Sequence, residues 1–203
     1  SELIAEGVLG DISDSYRDCA RDVYEAGTHL LELVNNVLDV SKLSNGSMAL
    51  QLAEDDIVSV TQEATKLVSD DIKQRHHKLI LNLPQKPLLM PCDRLKLKQI
   101  LINILSNAAK FTPDKGEISV TLTVLDDEIC FAIQDNGVGM SPNDIPRALA
   151  RFSQLHPSGV KESAGTGLGL PLAKLLVELH GGRLSIESDL GKGTTVRITL
   201  PRV

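Results

Sequence analysis

Three short segments of the sequence carry groups suited to holding a phosphorylated ligand. In the first, Gln99–Pro113, the residues Asn103, Asn107 and Lys110 recur at i, i+4 and i+7 and so share one helix face. Amides placed mid-helix in an otherwise apolar run are costly unless they find partners. An oxygen ligand for Mg²⁺, with the lysine meeting a phosphate, satisfies all three. The second and third segments are Asp135-Asn136-Gly137-Val138-Gly139-Met140 and Gly165-Thr166-Gly167-Leu168-Gly169-Leu170. Their glycines let backbone adopt positive φ and approach a ligand closely. The third opens a helix, whose free amides and dipole suit an anion. Asp135, at the end of a strand pattern, is placed to accept a hydrogen bond from the amino group of a base. Either glycine cluster alone is an ordinary turn; the information lies in all three segments together.

The elements that position them follow from periodicity. Residues 14–44 read as one long helix, with Tyr16, Ala20, Val23, Gly27, Leu30, Val34 and Val37 at alternating spacings of four and three. A helix of that length, ~45 Å, cannot bury its stripe against itself. Residues 1–9 read as the end of a partner helix, turning through Gly10-Asp11 into an N-cap at Ser13 or Asp14. One short piece and one long helix make an incomplete bundle, which a second copy is expected to complete. Ser44-Asn45-Gly46-Ser47 ends the helix and divides the chain into 1–45 and 46–203.

Beyond that boundary the pattern is mixed. Strands are expected at 48–52, 78–83, 88–91, 118–125, 128–134, 183–188 and 194–200, and helices at 55–75, 93–110 and 167–180. The loop-rich stretch 135–165 separates the glycine clusters. Interleaved strands and helices with hairpin-like closing strands predict helices packed on a mixed sheet, not a doubly wound parallel one. The fold class expected is therefore α+β: a partial helical element followed by an α/β sandwich.

Composition narrows the partners. The chain has 203 residues, 42 % of them hydrophobic, 24 % charged and only 2 % aromatic, with a net charge of −6. That balance argues against a nucleic-acid or anionic-membrane binder, so phosphates need local cationic help. Cys19, Cys92 and Cys130 lie far apart and read as small buried thiols in a reducing compartment, which points to the cytoplasm. No apolar run is long enough to span a bilayer. The chain opens in helix-like sequence without a Met, as a piece of a longer protein does.

In this order and spacing, the three segments resemble the N, G1 and G2 boxes of the GHKL ATPase/kinase superfamily. Ala150-Arg151-Phe152-Ser153-Gln154 is similar to the F box of its histidine kinases, with Leu149 standing where a first aromatic is common. Gly191–Pro201 resembles their closing strand, and Leu30–Leu43 the second helix of their dimerisation and phosphotransfer bundle. The resemblance implies the GHKL (Bergerat) fold with bound ATP and Mg²⁺. It casts Asn107 as the Mg²⁺ ligand, Asn103 as its support and Lys110 as a phosphate contact. It further implies that Phe111 lies against base or ribose, that Asp135 reads the adenine amino group, and that Gly137 and Gly139 shape the pocket. Thr195 assists near Asp135, Gly165, Thr166, Gly167, Leu168 and Gly169 embrace the phosphates, and Phe152 belongs to a lid over 141–164.

ATP-hydrolysing members carry a Glu four residues before the Mg-binding Asn, as general base on water. Here that position is Asn103, which accepts no proton at neutral pH. A neutral imidazole is already nucleophilic, so phosphoryl transfer to histidine fits better than hydrolysis. None of His29, His76, His77, His156 or His180 has the family's acceptor context; His76 and His77 are expected to be solvated. The acceptor is expected upstream of Ser1, so that 1–203 binds ATP without autophosphorylating. A homodimer and a response-regulator receiver domain are the implied partners; a pseudokinase scaffold and a GHKL ATPase are the alternatives.

Overall fold

The computed structural model describes residues 13–153 and 167–202. Helix α1 (Asp14–Ser44) leads into β1 (Ala53–Asp56), α2 (Ile57–Leu67), α3 (Ser69–Gln74), β2 (Lys78–Asn82) and β3 (Leu89–Cys92). Helix α4 (Arg94–Phe111), β4 (Glu117–Val124), β5 (Glu128–Asp135), the short α5 (Ile145–Ala148), α6 (Gly169–Leu179), β6 (Arg183–Asp189) and β7 (Gly193–Pro201) follow. The five-stranded sheet has the order β2-β4-β5-β7-β6. Only β2 and β4 run parallel, and every other pair in it is antiparallel. Strands β1 and β3 form a separate antiparallel pair.

Alternation explains which way the sheet faces. Ile118, Val120 and Leu122 of β4, with Ile129, Phe131 and Ile133 of β5, are buried, while their neighbours in sequence point to the opposite face. Helices α2, α4 and α6 cover the buried face. Helix α4 contributes Leu97, Ile100, Leu101, Ile104 and Leu105 to the core, and α6 contributes Pro171, Leu172, Ala173, Leu176 and Val177. This is the mixed-sheet sandwich that the sequence predicts.

Helix α4 is fixed at its start by Asp93. The carboxylate accepts from Lys96 N at 3.1 Å as an N-cap, and its other oxygen accepts from Gln51 N at 3.0 Å. At the same end the Asp93 amide donates to His180 Nε2 across 3.4 Å. Gly169, at the start of α6, lies over Asn103 and Asn107. Helices α4 and α6 are thus antiparallel, which brings the N-terminus of α6 to the amide-bearing end of α4.

Helix α1 ends as expected: Ser47 N donates to Lys42 O at 3.0 Å and Gly46 N to Leu43 O at 3.1 Å, a Schellman closure. Its last turns dock on the sandwich through buried Val40 and through Asp39, which pairs with Lys96 at 3.2 Å and accepts from Gln99 at 3.3 Å. Tyr16, Val23, Leu30, Val34 and Val37 are exposed. Residues 1–9, expected to be helical, lie outside the described residues.

Several expectations need correction. The first strand lies at Ala53–Asp56 rather than 48–52, and the helix expected over 55–75 is two helices meeting at Val68. The first follows from Asp56, which ends β1 and whose side chain caps α2 by accepting from Val58 N at 3.1 Å while also holding Leu88 N at 2.9 Å. Of the thiols, Cys92 is buried but Cys19 is exposed; burial pushes the Cys92 thiol up to about 11.

Candidate functional site

The end of α4 is the hub of the site. Asn107 donates through Nδ2 to the Asn103 carbonyl at 2.7 Å, one turn back along the helix. That bond fixes the amide plane and leaves Oδ1 an acceptor with no donor among the described residues. Asn103 Nδ2 is buried and has no protein partner among the described residues, an orphaned donor that a ligand would satisfy. Lys110 is half-buried, its ammonium 5.3 Å from the Phe111 ring centroid, within reach of a cation–π contact. Burial holds the Lys110 pKa below the ordinary lysine value, and the charge of Arg75 lowers it further.

The first glycine segment is tied directly to this hub. Val138 N donates to Phe111 O at 3.1 Å. A side chain at Gly137 would stand 2.5 Å from the same oxygen, so only glycine permits the approach. Gly139 takes φ +61, and a Cβ there would collide with Asp189 O. Met140 N then donates to Ser188 Oγ at 2.8 Å, which locks the segment to the edge strand β6.

Asp135 is buried at the end of β5. Its Oδ1 accepts from Gly137 N at 2.8 Å and from Thr194 N at 3.2 Å, while Oδ2 accepts nothing from the described residues. Burial raises the carboxyl above its ordinary pKa, and the two amide bonds pull against that shift. One oxygen anchored and one open is the arrangement that a base amino group requires.

The second glycine segment is described from Gly167 onward; Gly165 and Thr166 lie outside the described residues. Leu168 is fully buried and precedes α6, and among the described residues no side-chain hydrogen bond caps that helix. Its first turn therefore presents amides and the positive dipole end beside Asn103 and Asn107. Gly167 takes φ +65 and accepts from Phe152 N at 3.2 Å.

The structure thus brings Asn103, Asn107, Lys110, Phe111, Asp135, Gly137, Gly139, Gly167, Leu168 and Gly169 into one region. It does not bring the side chain of Phe152, which is 65 % exposed with φ 59; only its backbone meets the second glycine segment. Thr195 lines a cavity together with Asp135 but does not stand opposite it. The register pairs Asp135 with Thr194 and Gln134 with Thr195, so Thr195 stands on the outer face of the sheet. Thr194 takes its place, with its hydroxyl 2.9 Å from Ser188 Oγ. The buried alternation of Val196, Ile198 and Leu200 carries the signal that would have selected Thr194 over Thr195. That cavity, of about 420 Å³, lies at this end of the sheet, lined by Asp135, Ser188, Lys192, Gly193, Thr194 and Thr195 among others, and so meets the site at Asp135 and Thr194. It touches none of Asn103, Asn107 or Lys110 and is not the centre of the site.

Residues 92–203 match the family model described as histidine kinase-, DNA gyrase B- and HSP90-like ATPase. Among curated proteins, the histidine protein kinase DivJ of Caulobacter vibrioides is 39 % identical over 202 residues, covering 99 % of this chain and 34 % of DivJ. The cell-division control histidine kinase PdhS of Brucella suis is 36 % identical over 217 residues, covering 99 % of this chain and 20 % of PdhS. The chain therefore spans about a third or less of the length of these relatives. Among solved structures, full-length ShkA in complex with AMPPNP superposes with a TM-score of 0.79 at 28 % identity, over 95 % of this chain and 40 % of ShkA. The mycobacterial sensor histidine kinase MprB gives 0.63 at 26 % identity, over 74 % of this chain and 97 % of the other.

Proposed function

The chain belongs to the histidine kinase-, DNA gyrase B- and HSP90-like ATPase family, and from that premise we propose that it is the ATP-binding core of a two-component sensor histidine kinase. The γ-phosphate of ATP passes to a histidine upstream of Ser1 and then to an aspartate of a response regulator. Residues 46–203 form the catalytic unit, and residues 1–45 supply part of a dimerising helical bundle. The exposed apolar stripe of α1 supports the second assignment. Among the described residues no helix is long and apolar enough to cross a membrane, and the core is assigned to the cytoplasm.

The observation that carries the reading is the face Asn103–Asn107–Lys110 opposite the start of α6, on a helix that has no Asp or Glu anywhere in its 18 residues. A helix without a carboxylate offers no general base to water there, yet it suits a phosphate chain. Asp135 Oδ2 accepts the adenine amino group, the α6 amides and Lys110 take the phosphates, and Phe111 flanks the nucleoside. Asn107 Oδ1 would hold Mg²⁺: a single neutral oxygen fits an ion that keeps waters and phosphate oxygens as its other ligands. The ion supplies charge neutralisation at the phosphates. The protein's own work is positioning: the Asn107–Asn103 bond and the Gly137–Phe111 contact hold the two sides in place before ligand arrives.

The test is the full-length protein incubated with γ-labelled ATP. Phosphate that is labile in acid and stable in base is expected, as for phosphohistidine. Nucleotide binding with no label at all would contradict the kinase reading and favour a scaffold, and rapid release of inorganic phosphate would favour an ATPase.

A further inference from the structure

The three backbone carbonyls that close α4 are taken by three different donors. Lys110 O accepts from Arg75 Nη1 at 3.0 Å, Phe111 O from Val138 N at 3.1 Å, and Thr112 O faces His77 Nε2 at 3.2 Å. A carbonyl only accepts, so His77 carries its proton on Nε2 and donates. Val138 belongs to the first glycine segment, but Arg75 and His77 come from the short α3–β2 connection, outside every motif of the sequence. His77 is buried, contrary to the expectation of a solvated pair. His76 between them is exposed with φ 55, a left-handed turn that costs a non-glycine residue about 1 kcal/mol. That reversal turns both neighbours towards the end of α4. The same connection is stitched to the turn after α4 by Lys115 N to Arg75 O at 2.9 Å and Lys78 N to Gly116 O at 2.8 Å.

These features exceed what packing requires. His77 Nδ1 is buried without a protein partner among the described residues, a cost that an aliphatic side chain in the same place would avoid. We propose that Arg75 and His77 are positioning residues for the nucleotide site: they tie down the Lys110 and Thr112 carbonyls, and Arg75 sets a second cation beside the Lys110 ammonium. The pair fixes where Lys110 and Phe111 stand, and Arg75 strengthens the positive field felt by the phosphate chain in a protein whose net charge is −6. Arg75 also makes Lys110 easier to deprotonate, which ties the pH response of the site to Arg75. This inference rests on the nucleotide reading above.

The experiment measures dissociation constants of the chain for ATP and for adenosine across pH, in wild type, Arg75→Gln, Arg75→Lys and His77→Leu. Arg75→Gln keeps a donor for the carbonyl and loses the charge. It is expected to weaken ATP about five- to tenfold while adenosine changes less than about twofold, a split that a merely structural role would not produce. Its loss of ATP affinity on raising pH moves to higher pH, because Lys110 then keeps its proton longer. Arg75→Lys restores most of the ATP affinity, and His77→Leu weakens ATP about threefold. If Arg75→Gln leaves both the ATP-to-adenosine ratio and the pH profile unchanged, or weakens both ligands alike, the inference is overturned while the nucleotide reading stands. Should that variant not fold, Arg75→Lys decides: loss of the ratio with the charge retained overturns the inference. A wild-type chain that binds neither ligand overturns the nucleotide reading and takes the inference with it.

Discussion

Helices α1 and α4 carry apolar stripes of the same kind and meet opposite fates. In α4, Leu97, Ile100, Leu101, Ile104 and Leu105 are buried against the sheet and the flanking helices α2 and α6. In α1, Ala20 is buried but Tyr16, Val23, Leu30, Val34 and Val37 are exposed, and among the described residues it is the last turns, around Val40 and Leu43, that join the core of the sandwich. Periodicity is alike in the two, so it does not decide burial; what decides is whether the chain itself supplies a wall. Helix α4 finds one and becomes a rigid support for ligand chemistry. Helix α1 finds one at a single end, and the exposed part of its stripe is what the proposed bundle would cover.

The largest expected effect comes from breaking the buried side. Ile104→Ala in α4 should cost about 3 kcal/mol through the cavity it leaves, lower the melting temperature by many degrees, and weaken ATP because Asn103 and Asn107 flank it. The equivalent insult to α1, Val34→Lys, should leave melting of the sandwich and ATP affinity unchanged while lowering the mass seen in sedimentation. If Val34→Lys destabilises the sandwich as Ile104→Ala does, the contrast between the helices is wrong.

A second pair of effects separates binding from stability at Asp135. Its carboxyl is raised above the ordinary value by burial, against the amides of Gly137 and Thr194. A raised folded-state pKa means that ionisation costs stability above it, and that the cost vanishes as pH falls below the unfolded value near about 4. Asp135→Asn should therefore raise the ligand-free melting temperature by about 1–3 °C at neutral pH, with the gain shrinking in acid, yet weaken ATP tenfold or more. Thermal melts at several pH values with parallel titrations check both signs. The smallest effect is at the junction of the two regions. Asp39→Ala removes the partner of Lys96 and Gln99 and should cost about 0.5–1 kcal/mol, read as faster amide exchange at the end of α1 with ATP affinity unchanged.

Much of the sandwich and its candidate site is legible in the sequence because its signals are local. Spacing alone places Asn103, Asn107 and Lys110 on one face, and the two glycine segments announce close approach. What escapes depends on partners distant in the chain. Thr194 rather than Thr195 faces Asp135 because strand register sets the phase. Strand β1 hides in the acidic run Ala53–Asp56, which holds its shape because Asp55 pairs with Arg94 and Asp56 binds Leu88 N. His77 is buried because the Thr112 carbonyl awaits it, 35 residues away.

The most direct test of the central claim, that α4 and the two glycine segments form an ATP site organised by Asn107, is a calorimetric titration with ATP. It would be run with Mg²⁺ and with EDTA, on wild type and Asn107→Ala. The account predicts that wild type binds ATP more tightly with Mg²⁺ and that Asn107→Ala loses that increment while still binding adenosine. Failure of wild type to bind ATP, or an undiminished Mg²⁺ increment in Asn107→Ala, would contradict it.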